Sequence, residues 1–393
     1  MKRFLKASTL LCVVVAIFAA LLLKGGVAEA GGAPPFKHLS AVAAVSASNI
    51  WAVGDFFSGG VDQPLIEHWN GVQWGSVPAA DPNPGASTDA LEGLTVVSAH
   101  NVWAVGIFAD SSGNDQPLIE HWNGAQWSIV ASAQLPVGFP GGNLLGIAEV
   151  SAHNIWAVGT SFNLATRISQ TLIEHWNGSQ WSIVESPNAA GATFNALNVV
   201  TEVSAHNIWA VGDSISPSGI EQPLIEHWNG LQWSIVASPN TGSNTDSLTG
   251  IAEVSAHNIW AVGSESSSLT EHWNGNSWSI VTTPDPTGSE GSTRVGIAED
   301  SAHDIWTVGS YLFVVGDVGI NHTLIEHWDG TVWSIIPSPN SGSADNDFLG
   351  GVAAISANDA WAVGTIITDG INAGQLLIEH WNGVQWSIVP GAN

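Results

Sequence analysis

The dipeptide Glu-His, which places a carboxylate next to an imidazole, occurs seven times in the chain. The copies run from Glu67-His68 to Glu379-His380. Such groups can bind metals or transfer protons. Adjacent residues of a strand point to opposite faces of a sheet, so the two side chains of a pair cannot meet at one ligand. We therefore interpret the pairs as buried structural groups that need hydrogen-bond partners, and the Ser that recurs from Ser46 to Ser356 is one candidate partner.

A site present once in the molecule needs residues that stand outside any repeat. Arg294, Tyr311 and His322 are such residues, and they lie within one stretch of the chain. An Arg beside an aromatic ring and an imidazole could bind a carboxylate or a sugar acid. We predict that these three residues cluster, with Arg167 as a further ligand-binding candidate. Ordinary variation of surface loops is the alternative.

Asp110 and Asp115 flank the best local candidate for a calcium site, the segment Asp-Ser-Ser-Gly-Asn-Asp. Calcium prefers several carboxylate and carbonyl oxygens, but this segment lacks the ligand spacing of a known calcium loop. The alternative is a solvated acidic loop that keeps the protein soluble. Calcium is the one ion that the sequence suggests, and no other cofactor is expected.

The first 30 residues differ in character from the rest. Met1-Lys2-Arg3 is basic, an apolar run covers residues 7–23, and Ala28-Glu29-Ala30 offers small residues for cleavage. This pattern is typical of a secretory signal peptide. An uncleaved anchor is the alternative, because the apolar run approaches the length of a membrane span. We expect a secreted or cell-surface protein that touches a membrane only if this segment is retained.

Residues 31–393 are strongly acidic. They hold Lys37, Arg167 and Arg294 against 33 carboxylates, a net charge of −30. Such a field repels phosphate backbones, so we exclude nucleic acid as a partner. The only cysteine, Cys12, lies in the N-terminal apolar run. Disulfides, thiol catalysis and thiolate metal sites are therefore excluded from residues 31–393.

The sequence favours a protein without catalytic activity, and we assign no catalytic residues. It contains no G-x-S-x-G nucleophile elbow. The two Arg of residues 31–393 are too few for the arginine triad of a sialidase. A hydrolase or lyase that uses two paired carboxylates stays open, because two of the 33 acids could form such a pair.

Tryptophan reveals an internal repeat of about 50 residues. Each unit carries the block WAVG, a variable stretch, and then EHWNG with a further Trp five residues after the second. The repeat places all 21 Trp. The first Trp of the seven units are Trp51, Trp103, Trp156, Trp209, Trp260, Trp306 and Trp361.

Each unit predicts four short strands, because its apolar runs are brief, rich in Ile, Val and Trp, and separated by Asn-Gly, Ser-Pro and Gly. In the third unit we expect strands near 145–150, 155–159, 172–176 and 181–184. Runs that are apolar on both faces suit sheets packed between two neighbours. The sequence therefore predicts an all-β fold, a seven-bladed β-propeller with four antiparallel strands per blade, and a β-solenoid is the alternative. The predicted blades cover residues 37–80, 81–131, 132–187, 188–239, 240–285, 286–339 and 340–393.

The second strand ending in Gly, the third-strand core and the Trp that opens the fourth strand resemble kelch repeats, the galactose-oxidase type of propeller. The blocks WAVG, EHWNG and WS resemble the repeats of exported bacterial proteins more closely than they resemble kelch repeats. The resemblance covers residues 37–393 and implies a propeller. It cannot imply the copper–radical site of galactose oxidase, which needs a Cys and a Tyr together, because residues 31–393 contain no Cys and only one Tyr, Tyr311. Since the chain begins with a first strand and ends with a fourth, we expect the last blade to pack on the first without a shared strand.

Antiparallel strands put the short, uniform turns of every unit on one rim of the ring and the variable connections on the other. Variable loops on a rigid scaffold are where binding specificity generally lies. We therefore favour a non-catalytic extracellular binding scaffold for an unidentified protein or glycan. A lectin-like propeller is the alternative within binding, although most Trp are expected to pack in the core. Four glutamates at the ends of first strands could form an acidic arc at the channel mouth and bind a cation: Glu149, Glu202, Glu253 and Glu299.

Overall fold

The computed structural model describes residues 35–83, 88–239, 242, 245–264, 268–316, 318–342, 345–368 and 373–392. In these residues 28 β-strands form seven groups of four, and each group is one blade. No helix among the described residues is long and apolar enough to cross a membrane. The segment predicted as a signal peptide, residues 1–30, lies outside them.

The first four blades come from consecutive stretches of chain. Blade 1 comprises β1 (Phe36–Ser46), β2 (Asn49–Ser58), β3 (Val61–Trp69) and β4 (Trp74–Ser76). Blade 2 comprises β5 (Asp89–Ser98), β6 (Asn101–Ala109), β7 (Asp115–Trp122) and β8 (Trp127–Ile129). Blade 3 comprises β9 (Gly141–Ser151), β10 (Asn154–Asn163), β11 (Ile168–Trp176) and β12 (Trp181–Ile183). Blade 4 comprises β13 (Phe194–Ser204), β14 (Asn207–Ile215), β15 (Glu221–Trp228) and β16 (Trp233–Val236).

The last three blades follow the same plan. Blade 5 comprises β17 (Ser247–Ser255), β18 (Asn258–Ser264), β19 (Ser268–Trp273) and β20 (Trp278–Ile280). Blade 6 comprises β21 (Ser289–Ser301), β22 (Asp304–Val315), β23 (Val318–Trp328) and β24 (Trp333–Ile335). Blade 7 comprises β25 (Asn346–Ser356), β26 (Asp359–Thr368), β27 (Ala373–Trp381) and β28 (Trp386–Ile388).

Within each blade the strands pair in chain order and antiparallel. The first strand of every blade contacts the first strands of both neighbouring blades, and β25 contacts β1. The first strands therefore surround the central axis, and the fourth strands form the outer edge. This is the predicted β-propeller.

The ring closes between blades 7 and 1. β1 pairs along its length with β2, as predicted for a blade built from one segment. It also forms a single parallel bridge to β27, between Phe36 and Gly374. The closure thus relies on face-to-face packing with one added backbone bridge, which the sequence did not predict.

Tryptophans form the contact between every pair of neighbouring blades. Trp51 of blade 1 lies 5.0 Å from Trp122 and 5.5 Å from Trp127 of blade 2, measured between ring centroids. The equivalent contact at the closure joins Trp361 to Trp69 and Trp74. In the described residues, the seven hydrophobic clusters each combine side chains from two adjacent blades. The core is therefore a ring of inter-blade layers, and the predicted packing role of the Trp is confirmed for these contacts.

Two glycines of the repeat are explained by backbone geometry. A Cβ at Gly159, the last residue of WAVG, would lie 2.1 Å from the carbonyl oxygen of Asn143. This close approach occurs where β9 shifts register against β10. Gly178 of the Asn-Gly turn has φ of 93°, a value that L side chains rarely adopt. Both glycines recur because every blade repeats the same bulge and turn.

Candidate functional site

The seven third-strand histidines have a structural environment. His175 bonds through Nε2 to Oδ1 of Asn154 at 2.8 Å, and that oxygen also accepts the indole N–H of Trp156. The His175 and Trp156 rings lie 4.4 Å apart. Burial lowers the pKa of His175, so the ring stays neutral. The same His–Asn or His–Asp bond occurs in all seven blades. The Ser that recurs once per blade, as Ser46 in blade 1 and Ser356 in blade 7, is not this partner, so that prediction was wrong.

The seven third-strand glutamates are completely buried and face the connection that leaves the preceding blade. Glu174 accepts a hydrogen bond of 3.0 Å from the backbone N–H of Ala133 and one of 2.6 Å from the hydroxyl of Ser132. Glu67 accepts from the backbone N–H of Ala392 and so contributes to ring closure. In blades 1, 2, 3 and 5 the carboxyl thus accepts a hydrogen bond from the connection of the preceding blade. Both carboxyl oxygens of Glu226 and Glu379 lack a partner among the described residues. The Glu-His pairs are buried or half-buried groups of the blade packing, most of them hydrogen-bonded, as predicted.

Arg294 is not a rim residue, contrary to the prediction. It is 0% exposed, and its guanidinium forms a bidentate ion pair with Glu326, with Nη2 2.7 Å from Oε1. Nη2 also donates to the carbonyl oxygen of Pro284. The guanidinium is thus paired with Glu326, the third-strand glutamate of blade 6. Nη1 has no hydrogen-bond partner among the described residues, but it is buried as well, so the guanidinium is closed to a ligand from solution.

Tyr311 and His322 do lie together. They are directly opposite each other on β22 and β23, with ring centroids 5.5 Å apart. Phe313 extends the cluster, with its ring 6.1 Å from His322. Arg167 is far along the ring, in an exposed turn of blade 3 with φ of 57°. The structure therefore brings Tyr311 and His322 together, places Arg167 in another blade, and buries Arg294 in its pair with Glu326.

The four glutamates predicted to form an arc occupy equivalent positions in blades 3 to 6. Glu149, Glu202, Glu253 and Glu299 each lie opposite the first Ile of the second strand of their blade. The matching residues of the other blades are Ala44, Val96 and Ala354. One side of this end of the channel is therefore acidic, and the other side is apolar.

The arc carboxyls are close enough to affect one another. Burial, together with the charges of Glu149, Glu253 and Glu299, raises the pKa of Glu202 to about 8. Burial also raises the pKa of Glu149 and Glu253 to about 7 and that of Glu299 to about 8. Among the described residues, no three His, Cys, Asp or Glu side chains are arranged to hold a metal ion. Cation binding at the arc stays a prediction.

In the Asp110–Asp115 loop, the carboxylate of Asp110 accepts hydrogen bonds from the backbone of the same loop. Asp110 is partly exposed, and its Oδ1 accepts from the backbone N–H groups of Ser112 and Asn114. These bonds lower its pKa. Asp115 is half-buried at the start of β7, and burial together with the charge of Asp110 raises its pKa. The calcium site predicted here stays a prediction.

The sequence places many acids in the variable connections and predicts that they are solvated loop residues, but several of them are instead buried between blades. Asp55, Asp62, Asp213 and Glu221 are each at most 8% exposed. Asp317 and Asp369, predicted for the same rim, lie outside the described residues. One feature of the sequence could have revealed this burial: blades 1 and 4 alone have Asp directly after WAVG.

No model of a known protein family matches the chain, and no curated protein matches it. Solved structures share its fold. A GH74 xyloglucanase from Xanthomonas campestris is 13% identical with a TM-score of 0.57, over 90% of this chain and 54% of that one. A PL25 ulvan lyase bound to a GlcA–Rha3S unit is 12% identical with a TM-score of 0.54, over 92% and 98%. The WD40 β-propeller domain of Doa1 is 13% identical with a TM-score of 0.52, over 88% and 96%. At these identities the likeness shows the fold alone.

Proposed function

We propose that this protein is a non-catalytic binding module that works outside the cytoplasm and recognises its ligand through the rim of variable connections. The observation that carries the proposal is the difference between the two rims. The extracytoplasmic location rests on the N-terminal sequence pattern described above.

The uniform rim repeats one structure. The turn after each third strand is closed by an Asn or Asp whose side chain accepts from two backbone N–H groups, as Asn70 does from Val72 and Gln73. The repeated Glu, His and Trp side chains are engaged in packing and hydrogen bonds. Apart from the arc residues, this rim offers nearly the same groups in every blade, so it suits a scaffold.

The opposite rim differs from blade to blade. β2 and β3 are joined by Gly59 and Gly60 alone, whereas β10 and β11 are joined by a turn over residues 164–167. The β22–β23 hairpin extends furthest, to Val315 and Val318, and carries the aromatic cluster of Tyr311, Phe313 and His322. Loops that differ on a rigid frame are the usual location of specificity.

Charge limits the class of ligand. With a net charge of −30 over residues 31–393, the molecule favours neutral or cationic ligands over polyanions. The arc of four glutamates is a further place where a cationic group could bind. Glycan binding is the second candidate, because Tyr311 and Phe313 offer aromatic faces next to an imidazole. Two of the fold neighbours, named as a xyloglucanase and an ulvan lyase, act on glycans.

The test is a binding screen of the purified protein against a glycan array and an array of basic and neutral peptides. For a ligand found there, Tyr311→Ala and His322→Ala should weaken binding at least tenfold. His153→Ala, on the uniform rim, is the matched control and should bind as the wild type does. Equal loss in all three variants would contradict recognition by the variable rim. Cleavage of an arrayed glycan would instead identify an enzyme.

A further inference from the structure

Three carboxylates from three different strands meet at the variable rim between blades 1 and 2. Asp55 follows WAVG in β2, Asp62 lies near the start of β3, and Asp89 begins β5 of the next blade. Their exposed fractions are 2%, 6% and 1%. Asp62 lies two residues before Pro64, the residue opposite Asp55 on the paired strands β2 and β3, and β5 packs against both strands. The charges of Asp55 and Asp89 both act on Asp62. Three acids are thus buried side by side, an arrangement that requires a compensating partner.

Polar contacts with the protein satisfy these acids only in part. Oδ1 of Asp55 lies 3.2 Å from Nδ1 of His38, and Oδ1 of Asp89 accepts from the backbone N–H of Ala109. Oδ2 of Asp55 and Oδ1 of Asp62 are buried and have no hydrogen-bond partner in the described part of the chain. Two unpartnered carboxylate oxygens therefore lie in the group.

The chain has no spare basic residue for this group. Residues 31–393 contain three Lys or Arg. Lys37 donates to the carbonyl oxygen of Ala392, Arg294 is paired with Glu326, and Arg167 is exposed in blade 3. His38 is the nearest basic group and contacts only Asp55 among the three acids. A cation from solution would supply the missing charge.

The same set recurs at one other junction. Between blades 4 and 5, Asp213, Glu221 and Asp246 occupy the repeat positions of Asp55, Asp62 and Asp89. They are 2%, 8% and 1% exposed, and Oδ2 of Asp213 and Oε1 of Glu221 have no hydrogen-bond partner among the described residues. At junctions where all three positions are described, no other set is wholly acidic; blades 2 and 3, for example, have Ile107, Asp115 and Gly142. The three acids therefore occur together, as ligands of one ion would.

We propose that each of these two junctions binds one calcium ion. The donors are carboxylate oxygens from three strands, and calcium accepts six to eight oxygen ligands in flexible geometry. In the described residues no three of the side chains already converge on one point at metal-ligand distance. Binding therefore draws the carboxylates together and adds water ligands. The ions would clamp blade 1 to blade 2 and blade 4 to blade 5 at the variable rim, which goes beyond the binding function proposed above.

Calorimetric titration of the EDTA-treated full chain with CaCl₂ tests the proposal. The wild type should bind two ions, and its thermal unfolding temperature should rise with calcium. Asp62→Asn and Glu221→Gln should each leave one ion, and the double variant should bind none, with at least a tenfold loss of affinity at each altered junction. Without calcium, each variant should be at least as stable as the wild type, because it loses one of three buried like charges.

Asp115→Asn is the matched control. Asp115 has the repeat position of Asp62 but faces a junction whose next-blade position is Gly142, so this variant should still bind two ions. Loss of an ion in Asp115→Asn would place calcium in the 110–115 loop and overturn the assignment. Absence of binding at millimolar calcium, or two ions in the double variant, would also overturn it. Neither result bears on ligand recognition by Tyr311 and His322.

Discussion

At the scale of single residues, the seven third-strand glutamates show how one repeat position acquires different environments. Glu326 is paired with Arg294, whereas both carboxyl oxygens of Glu379 lack a hydrogen-bond partner in the described residues. The preceding connection explains the difference. Pro339 has no N–H to donate, and the hydroxyl of Ser338 bonds to Thr323 instead. Burial accordingly raises the pKa of Glu379 to about 8.

Replacing these two glutamates by the neutral isostere should have opposite effects. Glu326→Gln should cost about 3–5 kcal/mol of unfolding free energy, because it leaves Arg294 charged and unpaired in the core. Glu379→Gln should leave the unfolding free energy unchanged or increase it at pH 8, since no carboxyl then remains at this position to ionise. Urea unfolding at pH 8, followed by tryptophan fluorescence, measures both. Equal destabilisation by the two changes would contradict the different environments.

At the scale of elements, ring closure depends on the first strand. Phe36 at the start of β1 is 5% exposed and packs on Gly374 of β27, where an added Cβ would lie 2.5 Å from the ring. Besides the backbone bridge between these two residues, one other parallel bridge joins neighbouring blades in the described residues, between Glu221 of β15 and Thr245. At the closure, the hydroxyl of Thr365 also donates to the carbonyl oxygen of Lys37. The N-terminal end of blade 1 is therefore held to blade 7 by the Phe36 side chain, one bridge and this hydrogen bond.

Phe36→Ala should destabilise the propeller by about 3–5 kcal/mol, the usual cost of removing a buried Phe. Phe162→Ala is the control, because Phe162 also covers a glycine, Gly141, but within blade 3 and only half-buried. Its cost should be smaller. The urea unfolding midpoints of the two variants measure this difference. A smaller decrease in midpoint for Phe36→Ala than for Phe162→Ala would contradict a role of Phe36 in ring closure.

At the scale of the whole molecule, buried carboxyls make stability depend on pH. Burial raises the pKa of Glu120 and Glu67 to about 7 and that of Glu226 to about 8. A carboxyl with a raised pKa holds its proton in the folded state after the unfolded chain has released it. Its contribution to stability is complete below the unfolded pKa and is lost as pH rises through the folded pKa. Burial lowers the pKa of the third-strand histidines of blades 1 to 5. Burial also acts to lower the pKa of His38, but the hydrogen bond and charge of Asp55 outweigh it and raise that pKa, so His38 reduces stability with rising pH in the same direction as the acids.

The unfolding temperature should therefore fall as pH rises from 6.5 to 8.5. Glu226 and Glu379 alone should each contribute a loss of about 1–2 kcal/mol over this interval. Thermal unfolding in EDTA at both pH values checks this without interference from bound calcium. The double variant Glu226→Gln/Glu379→Gln should show a weaker pH dependence, and a rise in unfolding temperature with pH would rule out the explanation.

The sequence alone determined the architecture, because every blade repeats the same apolar runs, turns and tryptophans, and only identical sheets packed face to face place 21 indoles so regularly, 14 of them buried. It also identified the four arc glutamates, since equivalent positions in consecutive blades must be neighbours around an axis. The tertiary structure decided which polar residues are buried. Arg294 looked like a loop residue because its partner Glu326 is distant in sequence, and Asp55, Asp62 and Asp89 come from separate strands of two blades. Contacts between blades depend on how the sheets stack, and no spacing within one repeat encodes them.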